Sequence, residues 1–225
     1  MCGRFTLTVG LGEIKEHFQV EEITSRDSVP RYNIAPTQSV PIVVYRENTR
    51  RLVSMRWGLI PYWAKDVSIG SRLINARSES LSEKPAFRHS FRRKRCLVPA
   101  DSFYEWKKDT SGKKQPMRIL FAQGDLFAFA GLWDQWTDPE ESCTLHTFTI
   151  ITTSANDKVR PIHPRMPVIL DRSEEDLWLD PRIQDPDGLK SLLDPCDPAP
   201  MRTYPVSPIV NSPKIDQPEC ILPME

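Results

Sequence analysis

Cysteine and histidine, which build disulfide frameworks and most metal sites, are scarce in this chain of 225 residues. It has four histidines, and its five cysteines stand at positions 2, 96, 143, 196 and 220. An odd number of widely spaced cysteines without a Cys-x-x-Cys pair predicts reduced thiols, and it argues against a disulfide framework or a zinc site. The histidines have no cysteine or carboxylate at ligand spacing, so we expect no metal and no other cofactor.

Long apolar runs are missing as well. The longest, around Leu126–Trp133, is far shorter than the roughly 18–20 residues that span a membrane. No apolar segment of suitable length follows the start, which predicts that the chain has no signal peptide and begins at its own initiator methionine. Together with reduced thiols, this favours a cytoplasmic protein without a membrane partner. The chain also lacks Gly-x-Gly-x-x-Gly, phosphate-loop and Gly-x-Ser-x-Gly motifs, and it has no internal repeat.

The whole chain has no net charge, but its N-terminal and C-terminal halves carry net charges of opposite sign. The chain has 30 Lys+Arg and 30 Asp+Glu. Residues 1–118 hold 22 basic against 12 acidic residues, whereas residues 119–225 hold 8 against 18. This asymmetry predicts either a basic face that meets a polyanion, or two halves that interleave in space and average their charge. The densest basic run, Lys84–Arg95, is also compatible with a solvated helix face.

The order of apolar and turn-rich segments predicts an α+β fold, and the chain length fits one domain, or at most two. Many short strand-like runs and few helices favour a mainly antiparallel sheet, which can close into a barrel. Without a long heptad or apolar stripe, we expect a monomer. The predicted elements are a helix at 11–18, a surface loop at 21–39, a hairpin of 40–45 and 52–57, a helix at 78–94 interrupted near Pro85, strands at 96–106, 117–122, 126–133, 145–153 and 167–170, helical turns after Ser173 and at 188–193, and an irregular proline-rich tail over the last 30 residues.

The first residues carry distinctive chemistry. A small residue after Met1 normally permits removal of the methionine, which would leave Cys2 with a free α-amine beside its thiol. The amine condenses with an aldehyde to an imine, and the thiol then closes a five-membered thiazolidine ring in an intramolecular step. A terminal cysteine is also a candidate nucleophile of a peptidase or amidohydrolase. The alternative is that Cys2 is only a small second residue.

Three further side chains are candidates for proton transfer and positioning. Glu105 stands in an aromatic strand, where burial would raise its pKa towards that of a general acid–base. The alternative is a carboxylate on the wet face of a strand. His163 is a candidate proton relay or a structural histidine. Asn75 either orients a reacting group or forms a turn at a strand end.

Eight short segments occur along the chain in a fixed order, and this ordered set is a more specific signature than any single segment. They are Met1-Cys2-Gly3-Arg4, Arg31-Tyr32-Asn33, Ala35-Pro36, Trp57-Gly58, Asn75-Ala76-Arg77, Pro99-Ala100, Phe103-Tyr104-Glu105-Trp106 and His163-x-Arg165-Met166-Pro167. In this order the chain resembles the SRAP (SOS-response-associated peptidase) family, from residue 2 to about 170, with a weaker match at Pro205-Val206-Ser207 and Asn211. Members of that family shield abasic sites in single-stranded DNA by covalent crosslinking.

The resemblance implies a single α+β domain over residues 1–225, with a core at about 2–170, a wrapping tail at 195–225, a barrel-like sheet and a basic DNA groove. The catalytic residues implied are Cys2, Asn75, Glu105 and His163. Cys2 would form the thiazolidine, Glu105 would open the sugar and move protons, Asn75 would position the amine or sugar, and His163 would assist at the imine.

The resemblance also implies single-stranded DNA with abasic sites as the partner, association with the nucleoid upon damage, and lyase-like or self-processing peptidase activity. The implied DNA-binding residues, which hold phosphates or support bases, are Arg4, Pro36, Trp63, Arg77, Thr152 and Arg165. A non-covalent module for single-stranded DNA remains an alternative, and the sequence indicates no protein partner. One departure is Ser102, where the family usually has glycine; if that position needs a positive φ, Ser102 would be strained.

Overall fold

The computed structural model describes residues 2–27, 29–138 and 143–224, and most of its regular structure is short strands. The strands are β1 Phe5–Leu7, β2 Glu22–Ile23, β3 Arg31–Ile34, β4 Ser39–Arg46, β5 Thr49–Trp57, β6 Asn75–Arg77, β7 Arg95–Ala100, β8 Ser102–Lys108, β9 Lys114–Phe121, β10 Phe127–Thr137, β11 Thr144–Ser154, β12 Arg165–Pro167, β13 Ile169–Leu170 and β14 Met201–Pro205. The α-helices are α1 Leu11–His17, α2 Arg88–Arg93, α3 Glu175–Leu179 and α4 Pro186–Lys190. None of the helices in these ranges has the length and apolar character needed to cross a membrane.

Five strands close into a barrel. Antiparallel pairing runs from β5 through β4, β7 and β10 to β11, and parallel pairing of β11 with β5 completes the ring. The β4–β5 hairpin turns at Glu47 and Asn48, whose φ angles of 53° and 63° suit the two-residue turns that join twisted strands. Short strands β2, β6, β12 and β13 extend the barrel sheet at its margins. The predicted fold class, a single α+β domain with a barrel-like, mainly antiparallel sheet, is confirmed.

A second sheet, in the order β14-β9-β8-β1-β3, packs against the barrel through aromatic side chains. The ring of Phe5 in β1 meets Trp57 at 5.2 Å and Phe129 at 5.8 Å, and Phe103 in β8 meets Phe129 at 5.9 Å. All four rings are fully buried. Edge-to-face contacts of this kind add to the free energy of burial, so the two sheets share one core.

The single strand predicted at 96–106 is wrong, because the chain changes sheets at Asp101. β7 belongs to the barrel and β8 to the second sheet. Asp101 is buried at the break, and its carboxylate accepts hydrogen bonds from Thr6 and Thr8. A continuous apolar pattern does not reveal which sheet each half joins, since both halves are buried on both faces.

Ser102 follows this break without a positive φ. The described non-glycine residues with positive φ are Gln19, Thr37, Glu47 and Asn48. The Ser102 hydroxyl accepts a hydrogen bond from Arg118 Nε at 2.8 Å and also bonds to the Thr6 hydroxyl. The serine is therefore accommodated as part of a buried polar network.

Three other sequence predictions need correction. The loop predicted at 21–39 contains β2 and β3, and the carboxylate of Asp216 binds the side chain of Arg31 and the backbone N–H of Tyr32. The helix predicted at 78–94 is helical only at Ser78–Ser80 and in α2, on either side of Pro85. The tail is not irregular throughout, because β14 pairs with β9 over five residues.

Candidate active site

Cys2 leads into β1, and the pairing of β1 with β8 brings Glu105 close to it. The backbone N–H of Tyr104 donates to the carbonyl of Arg4 at 3.0 Å, within an antiparallel register. Continued by one residue, that register sets Glu105 opposite Gly3. Cys2 itself is fully buried, so its thiol lies in the interior beside the Glu105 carboxyl group rather than on the surface.

Asn75 fixes the backbone of Cys2. It begins β6, which pairs in parallel with β11, so that Asn75 lies opposite Ile150 at the edge of the barrel sheet. Its Nδ2 donates to the Cys2 carbonyl at 2.8 Å. Its Oδ1 is buried and accepts no hydrogen bond from any residue that the structure describes. The amide therefore holds Cys2, and its Oδ1 has no hydrogen-bond donor among the described residues.

His163 lies next to Glu105. Its Nδ1 lies 4.0 Å from Glu105 Oε1. The same Nδ1 is 3.0 Å from the backbone nitrogen of Arg165, the first residue of β12. Nδ1 also lies 2.9 Å from the carbonyl oxygen of Arg165. A neutral ring with its proton on Nε2 accepts the N–H at Nδ1, whereas a ring protonated at Nδ1 donates to the carbonyl. The structure thus brings together the four residues that the sequence predicted to be catalytic.

Burial determines the protonation of the two reactive groups. Desolvation raises the pKa of Glu105 above its ordinary value, and charge on His163 opposes only part of this rise. Desolvation, and secondly the Glu105 carboxylate, raise the pKa of the Cys2 thiol. Near neutral pH the thiol is therefore protonated, and Glu105 has the raised pKa expected of a group that gives and takes protons.

Arg165 adjoins this cluster, because its backbone contacts His163, and Glu79 binds its side chain. Its Nη1 pairs with Glu79 Oε1, and its Nη2 lies 3.1 Å from Glu79 Oε2. Nη2 also donates to the carbonyl of Thr152 at 2.6 Å. Thr152 is buried, and its backbone carbonyl orients the Arg165 side chain through this hydrogen bond. Arg77 lies opposite Thr152, is exposed, and makes no ion pair with a described residue.

Arg4 points to the C-terminal tail. Its Nη1 donates to Asn33 Oδ1 at 2.9 Å and to the carbonyl of Val210 at 2.6 Å. Asn33 in turn donates from Nδ2 to the carbonyls of Val210, Ser212 and Ile215. Arg4 and Asn33 together hold the tail beside the start of β1. Phosphate binding by Arg4 stays a prediction.

A sequence model described as SOS response associated peptidase (SRAP) matches residues 1–213. The chain belongs to the SRAP family. It is 50% identical over 222 residues to the abasic site processing protein YoqW of Bacillus subtilis, with 98% of this chain and 99% of the relative covered. It is 32% identical over 267 residues to the abasic site processing protein HMCES of Gallus gallus, with 100% and 78% covered. A crystal structure of a Bacteroides thetaiotaomicron protein covers all of both chains with a TM-score of 0.89 at 26% identity.

The two residues predicted to support bases in this SRAP chain lie on separate loops. Pro36 is half-buried after β3 and precedes Thr37, whose φ is 73°. Trp63 is 47% exposed beside Tyr62, which is 59% exposed. The loop of Tyr62 and Trp63 follows Gly58, where the backbone packs so closely on Gly70 that a Cβ would lie 2.6 Å from the Gly70 carbonyl oxygen. This close backbone contact fixes the start of the loop. Large exposed aromatic rings on a fixed loop are available to stack on a base.

Two contributors to the SRAP site had no role in the sequence prediction. Asn33 stands in a segment that carries the family resemblance, and Glu79 stands two residues after another such segment. Nothing in their spacing shows that Glu79 binds Arg165 or that Asn33 binds the tail. The described residues contain no cluster of three or more metal-ligating side chains, and all five cysteines are free thiols.

Proposed function

We propose that this protein processes abasic sites in single-stranded DNA by forming a thiazolidine crosslink through Cys2 after removal of Met1. The observation that carries the proposal is the meeting of buried Cys2 and Glu105 with half-buried Asn75 and His163 in one cluster. The SRAP relatives named as abasic site processing proteins support DNA repair as its setting.

Removal of Met1 is the first requirement, because the α-nitrogen of Cys2 otherwise belongs to a peptide bond. The freed amine is a nucleophile with an ordinary pKa near ~8, so a reactive fraction is neutral at physiological pH. The unused Asn75 Oδ1 is suited to accept a hydrogen bond from this amine. Asn75 would then hold both the carbonyl and the amine of Cys2.

Glu105 is suited to the proton transfers of imine formation. It helps the sugar to open to its aldehyde, and the amine of Cys2 adds to the carbonyl carbon. The protonated Glu105 then gives its proton to the carbinolamine hydroxyl, which leaves as water and produces a protonated imine. The raised pKa of Glu105 favours this protonated starting form, and His163 is placed to relay protons at the imine.

Ring closure regenerates the acid. The Glu105 carboxylate takes the thiol proton of Cys2, and the sulfur attacks the imine carbon while the nitrogen keeps its hydrogen. The overall change joins an aldehyde and an aminothiol and releases one water. Because both nucleophiles belong to one residue, the second step is intramolecular and strongly favoured.

Arginines next to the site would supply affinity without sequence preference. Arg77 is exposed, and Arg165 lies beside it across β11 and is already oriented by Thr152. Their guanidinium groups suit phosphates that flank the lesion. Pro36 and Trp63 would support neighbouring bases.

The decisive experiment exposes a Met1-free preparation to a single-stranded oligonucleotide with one abasic site. We expect a denaturation-resistant adduct, and its intact mass should equal protein plus DNA minus one water. Cys2→Ala should give no stable adduct, whereas exposed Cys143→Ala should react like the wild type. A Met1-free protein that forms no adduct would overturn the proposal.

Two alternatives make different predictions. A peptidase or amidohydrolase with Cys2 as nucleophile, even one acting only on Met1, predicts that Met1 persists in Glu105→Gln and that no DNA is needed for activity. A non-covalent single-strand binding module predicts salt-dependent binding that is indifferent to the lesion. Intact mass and a binding comparison of abasic with undamaged strands distinguish all three.

A further inference from the structure

A second basic feature lies outside the cluster around Cys2. An open pocket of about 440 Å³ is lined mainly by α2 and by the loop after β5. Among the described residues that line it there is no carboxylate. The lining side chains that matter here are Arg88, His89, Arg92, Arg93, Tyr62 and Gln184.

The basic run that includes α2 is divided by the fold into two groups. Arg95 is buried, and its guanidinium donates to backbone carbonyls, while Lys94 pairs with Asp134 at 2.6 Å. These two cations serve the structure itself. The other group, Arg88, Arg92 and Arg93, is exposed and forms no ion pair with any residue in the described part of the chain. Three guanidinium groups around one pocket, with no ion pair to a described residue, favour a polyanionic occupant.

Tyr62 adds a feature that a simple anion site would not need. Its ring is largely exposed, yet its backbone N–H donates to Asp134 Oδ2 at 2.9 Å. The ring meets His89 edge-on, with centroids 5.7 Å apart. An exposed aromatic ring whose loop is held in place, beside arginines, suits an unpaired base joined to phosphates.

The strand register relates this pocket to the candidate active site. Asp134, which holds Tyr62, lies opposite Thr147 in β11, and Arg77 lies opposite Thr152 in the same strand. Five residues of β-strand span roughly 17 Å at about 3.4 Å each. A stacked nucleic-acid strand covers that length with about five phosphates at 3.4 Å per phosphate. One continuous strand can therefore reach both places.

We propose that the pocket formed by α2 and Tyr62 is a second subsite for the same single strand, with Arg88, Arg92 and Arg93 on its phosphates and Tyr62 against a base. This rests on the proposed function for the identity of the strand, but the pocket itself is defined independently of Cys2. It gives the protein a binding footprint that extends beyond the lesion in one direction.

The test measures binding and crosslinking separately. Undamaged oligothymidylates of 4 to 16 nucleotides are titrated against wild-type protein and the triple variant Arg88→Gln, Arg92→Gln, Arg93→Gln at several salt concentrations. Each lost phosphate contact should reduce the magnitude of the negative slope of log affinity against log salt by about 0.7, so we expect a reduction of about 2 for the longer strands. The shortest strands should bind both proteins alike. Tyr62→Ala should weaken binding of long strands without changing the slope.

A matched control removes the same charge elsewhere, through Lys15→Gln, Lys190→Gln and Arg202→Gln on α1, α4 and β14. It should keep the wild-type slope, and the melting temperatures of all variants should agree. An unchanged slope in the α2 variant would overturn the subsite. In a parallel titration with oligonucleotides that carry a duplex extension, a loss of affinity seen only with these would also overturn it. If crosslinking to abasic DNA fails while the length-dependent slope persists, the proposed reaction is wrong and the subsite stands.

Discussion

Glu79 holds Arg165, the arginine proposed above to bind a DNA phosphate, through both of its carboxylate oxygens. The hydrogen bond from Arg165 keeps the pKa of Glu79 below its ordinary value, so the carboxylate is ionised near neutral pH. Because Thr152 orients Arg165 independently, the guanidinium should keep its place without Glu79. If Arg165 binds phosphate as proposed, Glu79 competes with that phosphate for the guanidinium group.

Replacement of this competitor should strengthen DNA binding. In Glu79→Gln the exposed ion pair, worth about 0.2–1 kcal/mol, no longer has to be broken. We expect the affinity for abasic and undamaged single strands to rise by up to about 5-fold, with a steeper salt dependence. Fluorescence anisotropy over a salt series measures both. Glu83→Gln, a matched change at an exposed site, should have less effect; weaker binding by Glu79→Gln would show that Glu79 positions Arg165 instead.

The raised pKa of Glu105 predicts a pH profile. The protonated carboxyl group is the form that releases water from the carbinolamine, so the rate should fall as pH rises through the folded-state pKa of Glu105. Glu105→Gln should slow crosslinking by about 10²–10⁴-fold and abolish this limb of the profile. Single-turnover rates between pH 5 and pH 9, measured on Met1-free protein, test both statements. A Glu105→Gln variant with an unchanged profile would assign the proton transfers to another group.

Asn75 should act on Cys2 rather than on stability. In Asn75→Ala the Cys2 carbonyl loses its 2.8 Å hydrogen bond, and the amine loses its nearby acceptor. We expect crosslinking to slow by at least about 10-fold, since small misplacements of a reacting group are costly. Asn75→Asp keeps an acceptor oxygen for the Cys2 amine but loses the donor to the Cys2 carbonyl. If the contact with the amine matters more than the contact with the carbonyl, this variant should retain part of the wild-type rate. Equal crosslinking rates for wild type and both variants would show that Asn75 has no role in the reaction.

The sequence predicted the local elements well where apolar patterning decides them. The β4–β5 hairpin and helix α1 follow from patterns that lie within a few residues. The chain's change of sheet at Asp101 does not, because it depends on which distant strands β7 and β8 pair with.

The same limit applies to the site. Cys2 and Glu105 stood out by their chemistry, and the family resemblance strengthened the roles of Asn75 and His163. Asn33 could not be assigned, because its three carbonyl partners lie near residue 212, across most of the chain. Side-chain contacts between such remote segments become visible only in the folded molecule.

A buried carboxyl group outside the site offers a test of the fold itself. Glu175 in α3 is buried, 3.5 Å from Arg50, and burial raises its pKa to about 7 even beside this cation. The folded protein therefore binds this proton more tightly than the unfolded chain, whose glutamates titrate near ~4.3. The contribution of Glu175 to stability should accordingly be highest below the unfolded pKa and should decline as pH rises from there to about 7.

Glu175→Gln removes that titration while it preserves the shape and a hydrogen-bonding oxygen towards Arg50. The difference in melting temperature between wild type and variant should change in favour of the variant as pH increases from 5 to 8. Glu174→Gln, at the neighbouring position outside the core, provides the control and should show no such trend. A constant difference between wild type and Glu175→Gln across this range would mean that Glu175 is ionised throughout, with Arg50 compensating fully for its burial.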